Sequence, residues 1–169
     1  MADNNVAGLS TLGIKVYQAL AENQQKVTEA SAYSQLTRIN AIGEASITPE
    51  NIDASALEDL VSRFVAGRAT VTDALTITIN QTDATMAEWT AILGETICLM
   101  ISIPNLSQAC FAILTVPNKL PLSAIDQNGL LTMAINCTVN DFIGWDTKVE
   151  IADGASEASV DAGEEDDGV

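Results

Sequence analysis

Residues 75–80 (LTITIN) alternate strictly between apolar and polar side chains, and this pattern limits what the chain can fold into. Successive side chains of a β-strand point to opposite faces, so the pattern predicts a strand with one buried and one solvated face. Residues 131–139 repeat it, with Leu, Met, Ile, Cys and Val at every second position. Strands of this kind pair in antiparallel sheets that cover a core on one side.

Two longer apolar segments, 96–103 and 109–116, flank the turn-like sequence Pro-Asn-Leu-Ser at 104–107. Apolar runs of this length joined by a short polar break predict a β-hairpin. Residues 117–129 predict a loop that ends in an Asp-Gln-Asn-Gly turn. Residues 145–151 predict a last strand at a sheet edge.

The remaining strand signals are shorter. Residues 36–39 and 45–52 predict two strands, and Pro49 must lie at a sheet edge or a bulge because proline lacks a backbone N–H. Residues 14–17 fit either a short strand or the start of a helix. Residues 19–32 stay ambiguous, since their Ala, Gln and Glu content favours a helix but their apolar period is poor. In total the sequence predicts six to eight strands.

Residues 83–93 predict one helix. Asp83 is placed to cap its start, Thr85 with Glu88 supports that cap, and Gly94 is placed to end it. Three apolar residues of this segment share one stripe, which should pack on the sheet: Met86, Trp89 and Leu93.

Residues 55–67 also show helical spacing. Ser55 with Glu58 forms a capping-box pattern, and Gly67 is a plausible stop, so the residues alone predict a helix of about three turns. The apolar positions that carry this prediction are Leu57, Leu60, Val61, Phe64 and Val65.

Together these segments predict a mainly β fold, a single β-sandwich or barrel-like domain with a flanking α-helix. We assign the domain to residues 14–152, with a mobile polar arm at 1–13 and an acidic, disordered tail at 153–169. A folded body of ~150 residues buries roughly 68–70% of the surface of its unfolded chain, so the core needs no disulfide or metal to hold it.

The chain is strongly acidic, with 23 Asp and Glu against 7 Lys and Arg and a net charge of −16. Residues 150–169 hold eight of the acidic side chains and no basic ones, so the rest of the chain still carries −8. Such a surface repels phosphate at ordinary salt, and we expect no direct binding of nucleic acid.

The sequence offers little for catalysis or cofactor binding. It has no histidine, which removes the most common general base and metal ligand, and no glycine-rich phosphate loop. Cys98, Cys110 and Cys137 are spaced too widely for a zinc site, and we expect free thiols in the core. The turn at 126–129 lacks most ligands of a calcium loop. We therefore predict no enzyme activity, no cofactor and no metal. We also predict no secretory signal and no membrane span.

Residues 42–93 contain an ordered series of features. A Gly-Glu turn is followed by Thr-Pro-Glu-Asn-Ile-Asp, by Leu-Glu-Asp with an Arg shortly after, by an Ala-Gly break, by the alternating strand and by the capped helix. This order and spacing resembles the major tail tube protein of long-tailed bacteriophages, over about a third of the chain. The resemblance implies a single β-sandwich with a helix at its side. At 55–67 it implies a loop followed by a strand.

The resemblance also implies a role. It implies a structural virion protein whose hexameric rings stack into a hollow tube, through which DNA passes without specific binding. The implied partners are further copies of the chain and the tape measure, tail tip and tail terminator proteins. The implied location is the phage tail, after synthesis in the host cytoplasm.

Four charged residues are candidates for the contact between subunits: Glu58, Asp59, Arg63 and Arg68. Within one chain, an exposed ion pair between these carboxylates and Arg63 is the simpler interpretation, and such a pair is worth ~0–1 kcal/mol. The alternative function is a small-molecule or carbohydrate-binding β-sandwich module that decorates the tail. Such a site usually exposes aromatic side chains, and this chain has only seven aromatics, several of them in apolar stripes.

Removal of residues 153–169 should leave folding intact, because this segment contains almost no large apolar side chains. We expect the melting temperature of the truncated protein to match that of the full chain in a thermal unfolding experiment. A large loss of folded protein on truncation would show that the segment packs on the domain.

Overall fold

The computed structural model describes residues 12–151, and the structural statements that follow concern this part of the chain. It contains nine strands, one α-helix and a short 3-10 turn at Ala30–Ala32. In chain order the main elements are β1 (Lys15–Leu20), β2 (Ser34–Leu36), β3 (Ile39–Ile42), β4 (Ile47–Asp53), β5 (Phe64–Val71), β6 (Ala74–Asn80), α1 (Asp83–Thr90), β7 (Thr96–Ser102), β8 (Gln108–Thr115) and β9 (Thr132–Thr147).

Seven strands form one antiparallel sheet in the order β2-β1-β7-β8-β9-β6-β3. Its two edge strands, β2 and β3, are neighbours in sequence and are joined only by Thr37 and Arg38. Consecutive Cα atoms lie 3.8 Å apart, so three steps hold the two edges within about 11 Å at this point. The sheet therefore curls into a half-barrel. This confirms the predicted mainly β, barrel-like domain with a flanking helix.

The central hairpin β7–β8 is buried on both faces. Ile97 and Leu99 face the concave side of the sheet, and Cys98 and Met100 between them face the convex side; all four are 0–1% exposed. Burial on both faces explains why this part of the sequence is a continuous apolar run and does not alternate.

The concave core is completed by β6, β9 and α1. In β6 the apolar residues point inward and the threonines outward, as their alternation predicts. Trp89 is fully buried in this core, and Met86 and Leu93 pack against it, which confirms the predicted stripe. The helix is capped by Thr82, whose hydroxyl accepts the Thr85 N–H at 3.2 Å, so Asp83 is its first residue and not its cap.

The convex core is covered by a strap, residues 21–33, that packs across β7 and β8. Lys26 fastens it: its Nζ donates to Asp146 Oδ2 at 3.0 Å and lies 4.4 Å from the centre of the Phe111 ring. The Tyr33 hydroxyl donates to the carbonyl of Val27 at 2.5 Å. The backbone N–H of Thr147 and the ammonium of Lys26 lower the pKa of Asp146, so this attachment persists until the pH falls well into the acid range.

Several sequence predictions need correction. Residues 36–39 are not one strand, because β2 ends at Leu36 and β3 begins at Ile39, and residues 12–151 hold nine strands, where six to eight were predicted. The helix predicted at 83–93 ends at Thr90 with Ala91 as its C-cap, so Gly94 does not end it.

Residues 55–67 are not helical, because residues 54–63 form a loop and Gly67 lies inside β5. A helix of this length needs an apolar face packed on a core, and here the apolar side chains have none. There is no separate strand at 145–151, because β9 continues without interruption to Thr147 and residues 148–151 are not in a strand.

Other predictions are settled by the same elements. Residues 15–17 belong to a strand and not to a helix, since β1 begins at Lys15, and Ile14 precedes it. Residues 19–32, which were ambiguous, contain the end of β1 and most of the strap, including its 3-10 turn. Pro49 lies in β4 next to a register shift, as predicted for a residue that lacks an N–H. The predicted arm at 1–13 and tail at 153–169 fall outside the described residues, apart from Leu12 and Gly13.

Trp89→Ala should lower the free energy of unfolding by ~3–5 kcal/mol, because a large cavity would open in the concave core. Trp145→Ala is the matched control, since Trp145 is 52% exposed and its removal opens no comparable cavity. Chemical denaturation of both variants tests this. Equal stability of the two variants would contradict the packing of α1 on the sheet.

Candidate assembly surfaces

A second, separate sheet projects from the half-barrel. It consists of β4 and β5 alone, which pair with each other and with no strand of the main sheet. We call β4, β5 and the intervening residues 54–63 the projecting hairpin. An isolated two-stranded ribbon is only marginally stable in water. Such a ribbon therefore requires further contacts, within the chain or with a partner, to be stable.

Local hydrogen bonds at the base hold the projecting hairpin together. Ser46 N–H donates to the Thr72 hydroxyl at 2.9 Å, and Thr72 N–H donates to the Ser46 carbonyl at 3.1 Å. The strands approach closely at Gly67, where an added Cβ would lie 3.0 Å from Ile52 Cδ1. The predicted helix stop is therefore a glycine that makes room for a cross-strand isoleucine.

Side-chain hydrogen bonds order the loop at 54–63. The hydroxyl of Ser55 accepts the Arg63 N–H at 2.9 Å, and Asp53 Oδ1 accepts the Ser55 N–H at 2.9 Å. Hydrogen bonds with the Ser55 hydroxyl and then with its backbone N–H lower the pKa of Asp53. Asp59 Oδ2 accepts the Ala56 N–H at 2.8 Å. These bonds take the place of the helix cap that Ser55 was predicted to form.

The loop and the adjacent strand ends present apolar side chains to solvent. Leu57 and Leu60 are fully exposed, and Val61 is 76% exposed. Further large apolar residues of the projecting hairpin are at least half exposed: Ile47, Ile52, Phe64 and Val65. Scattered apolar residues on a surface are ordinary, but a cluster of this kind marks an interaction site.

The four predicted interface residues all lie on the projecting hairpin. Asp59 and Arg63 form an ion pair, Oδ1 to Nε 3.4 Å, across the loop. Glu58 is exposed in the loop and Arg68 is exposed in β5. The sequence prediction chose these charges for the interface and assigned the apolar residues beside them to a helix. The exposed leucines indicate an interaction surface more strongly than the charges do. Their helical spacing led to the wrong assignment.

An open apolar groove of about 1000 Å³ lies on the concave side of the sheet, beside the base of the projecting hairpin. No Asp, Glu, Lys or Arg lines it. Its floor comes from β7, β8 and β9, and its rim from β3, the segment after it and Trp145. Representative lining residues are Ile42, Leu99, Ile101, Ala112, Phe142 and Trp145.

The three cysteines are free and differ in access. Cys98 and Cys137 are fully buried, as predicted, whereas Cys110 is half-buried and lines the groove. Burial raises the pKa of Cys110, and it raises the pKa of Cys137 to about 12. A raised pKa lowers the thiolate fraction at neutral pH, so the buried Cys137 acts as an apolar side chain and the accessible Cys110 reacts slowly unless the pH is raised.

The described residues show no group suited to hold a metal ion. Within 12–151, no three or more His, Cys, Asp or Glu side chains converge on one point. In the same part of the chain, α1 is too short to span a bilayer, and no other helix is long and apolar enough to do so. The two surfaces that stand out are the projecting hairpin and the groove, and both are suited to binding another apolar surface.

No protein-family model matches this sequence, and a search of curated proteins finds no match. Among solved structures, the fold is similar to that of a chain in the tail of an empty gene transfer agent particle, determined with C6 symmetry. That match has a TM-score of 0.50 and 12% identity, and covers 79% of this chain and 95% of the other.

A chain in the virion of a native gene transfer agent particle is similar to the same degree. It has a TM-score of 0.50 and 12% identity, with 78% and 95% of the two chains covered. A chain from a six-fold symmetrised baseplate of an anti-feeding prophage has a TM-score of 0.48 and 11% identity, over 83% and 95%. At these identities the first two matches establish a shared fold.

Replacement of Leu57, Leu60 and Val61 together by Ser should leave the stability of the monomer within ~0.5 kcal/mol of wild type, because these side chains are exposed and do not pack on the rest of residues 12–151. Binding of a hydrophobic dye should fall at the same time. Ile77→Ser, at a buried position of β6, is the control that must destabilise. A sharp drop in melting temperature for the triple variant would show that the loop packs on the body.

Proposed function

We propose that this protein is a structural component of a phage-like tail, and that its copies form rings of six that stack into a tail tube. The observation that carries the proposal is the projecting hairpin, which holds seven exposed large apolar side chains on a two-stranded sheet that no other part of residues 12–151 covers. Such an element is unfavourable in a monomer and becomes stable once neighbours bury it.

The fold supports this proposal. The chain shares its fold over most of its length with chains of a gene transfer agent tail and virion, one of them determined with C6 symmetry. Head-to-tail contacts between identical subunits close into rings when the rotation is favourable, and rings stack through a second contact surface. Glu58, Asp59, Arg63 and Arg68 lie on the projecting hairpin, where we propose that they contribute to the contact with a neighbouring subunit.

The charge supports the same proposal. Residues 12–151 carry 15 acidic and 7 basic side chains, a net charge of −8 per subunit. Repeated around a ring, this charge would give a channel a strongly negative wall. DNA would then pass through without binding, and we propose this role for the acidic surface. The remaining proposed partners are the tape measure, tail tip and tail terminator proteins.

Within residues 12–151, the open groove with the exposed Trp145 at its rim favours the alternative of a small-molecule or carbohydrate-binding module. Binding pockets of that kind combine apolar walls with a few convergent polar groups that orient the ligand. Here the lining offers a single amide side chain, Asn40, and no charge. The groove is therefore better suited to an apolar protein segment than to a sugar.

Purified protein should form rings or tubes at high concentration, or when tail-tip components are added as initiators, because the contacts that bury the projecting hairpin are intermolecular. Negative-stain microscopy and light scattering measure this directly. The triple serine variant of Leu57, Leu60 and Val61 is the matched control and should remain monomeric. Persistent monomers of the wild-type protein, even with tail-tip components present, would contradict the proposed function.

A further inference from the structure

The groove exists because two paired strands have unequal lengths. The pairing of β6 with β9 stops at Ala74, the first residue of β6, which lies opposite Thr138. β9 continues past Thr138 for nine more residues, to Thr147. Beyond Thr138, β9 is paired on one side only, with β8. The concave faces of β7, β8 and β9 therefore lose their cover at this end, and apolar residues such as Ile101 and Phe142 are left half-exposed.

The chain's own projecting hairpin leaves this groove uncovered. Gly43 and Ala45 line the rim, and β4 begins two residues later at Ile47. Its seven residues are extended, which carries the loop at 54–63 about 20 Å from the rim. No residue of 47–71 lines the groove. One chain thus holds an open apolar groove and an exposed apolar loop that do not meet each other.

We infer that the groove receives the loop at 54–63 of a second copy of this chain, with Leu57, Leu60 and Val61 as the inserted side chains. This inference rests on the proposed function and specifies one of its subunit contacts. Each copy then donates one loop and accepts another. A contact of this head-to-tail type repeats from copy to copy and builds a ring or a stack.

Size and charge both suit this occupant. A volume of about 1000 Å³ equals that of the larger pockets that hold drug-sized ligands, ~300–1000 Å³, and has room for several aliphatic side chains. Two copies with a net charge of −16 each repel one another, so their contact is most favourable where neither surface is charged. The groove lining is uncharged, and in the loop the carboxylate of Asp59 is paired with Arg63. Glu58 is exposed in the same loop and must stay outside the groove when the leucines enter it.

A native cysteine allows a direct test. Cys110 lines the groove, whereas Cys98 and Cys137 are fully buried and will not react. Leu60→Cys places a thiol at the tip of the loop. If the loop of one copy occupies the groove of another, mild oxidation should link Cys110 to the introduced thiol, because a disulfide requires Cα atoms within ~7 Å.

The expected product is a ladder of dimers, trimers and longer chains in a non-reducing denaturing gel, since every copy carries one loop and one groove. The ladder must disappear when Cys110→Ala is added. A dimer that survives this addition comes from two loops in contact and would overturn the inference.

Leu122→Cys is the matched control, because Leu122 is 82% exposed in the loop between β8 and β9 and lies off the projecting hairpin. We expect no ladder from it. A ladder from Leu122→Cys and none from Leu60→Cys would assign the groove to that other loop. Tubes in the micrographs without a ladder from Leu60→Cys would overturn the inference and leave the proposed function standing. The absence of both tubes and ladder would contradict both.

Discussion

The burial of the β7–β8 hairpin on both of its faces is the constraint on which the rest of the structure depends. Two strands that are apolar on both sides need a layer above and a layer below. The concave layer is supplied by β6, β9 and α1, with Trp89 at its centre, and the convex layer by the strap at 21–33. The strap places Ala21 and Tyr33 in the convex core, and Lys26 adds contacts with Asp146 and Phe111.

The same constraint explains the two surfaces that remain open. β6 and β3 cover only part of the concave face that β7, β8 and β9 form. One end of that face therefore stays exposed as the groove. The chain that leaves β3 at this end does not fold back over the groove but extends as the projecting hairpin. The open groove and the unsupported projecting hairpin thus lie next to each other, because the chain passes from one directly into the other. A second copy that placed its projecting hairpin in this groove would bury both apolar surfaces.

The sequence predicted the elements whose burial is determined within the chain. The alternation at 75–80 and the apolar runs around the turn at 104–107 were correct, because burial on one face or two leaves a distinct pattern. At 55–67 the same argument failed. Its apolar residues serve a surface that faces away from the chain's own core, and their helical spacing is accidental in a loop followed by a strand. The groove and the strap could not be predicted from the sequence, since both depend on contacts between residues far apart in the chain. Examples are the strand pairing of Ala74 with Thr138 and the ion pair of Lys26 with Asp146.

The role of Glu58, Asp59, Arg63 and Arg68 in a subunit contact stays a prediction. The charged residues chosen for it do lie on the projecting hairpin, yet an exposed pair such as Asp59–Arg63 contributes little to affinity in water. The apolar side chains beside them have more to gain from burial, at roughly 25 cal/mol per Å² of apolar surface. In an acidic protein this division of roles is physically sensible. In the proposed assembly, like charge keeps unassembled copies apart, and salt of about 0.15 M screens that repulsion beyond ~8 Å. A short-range apolar contact would then decide when two copies join.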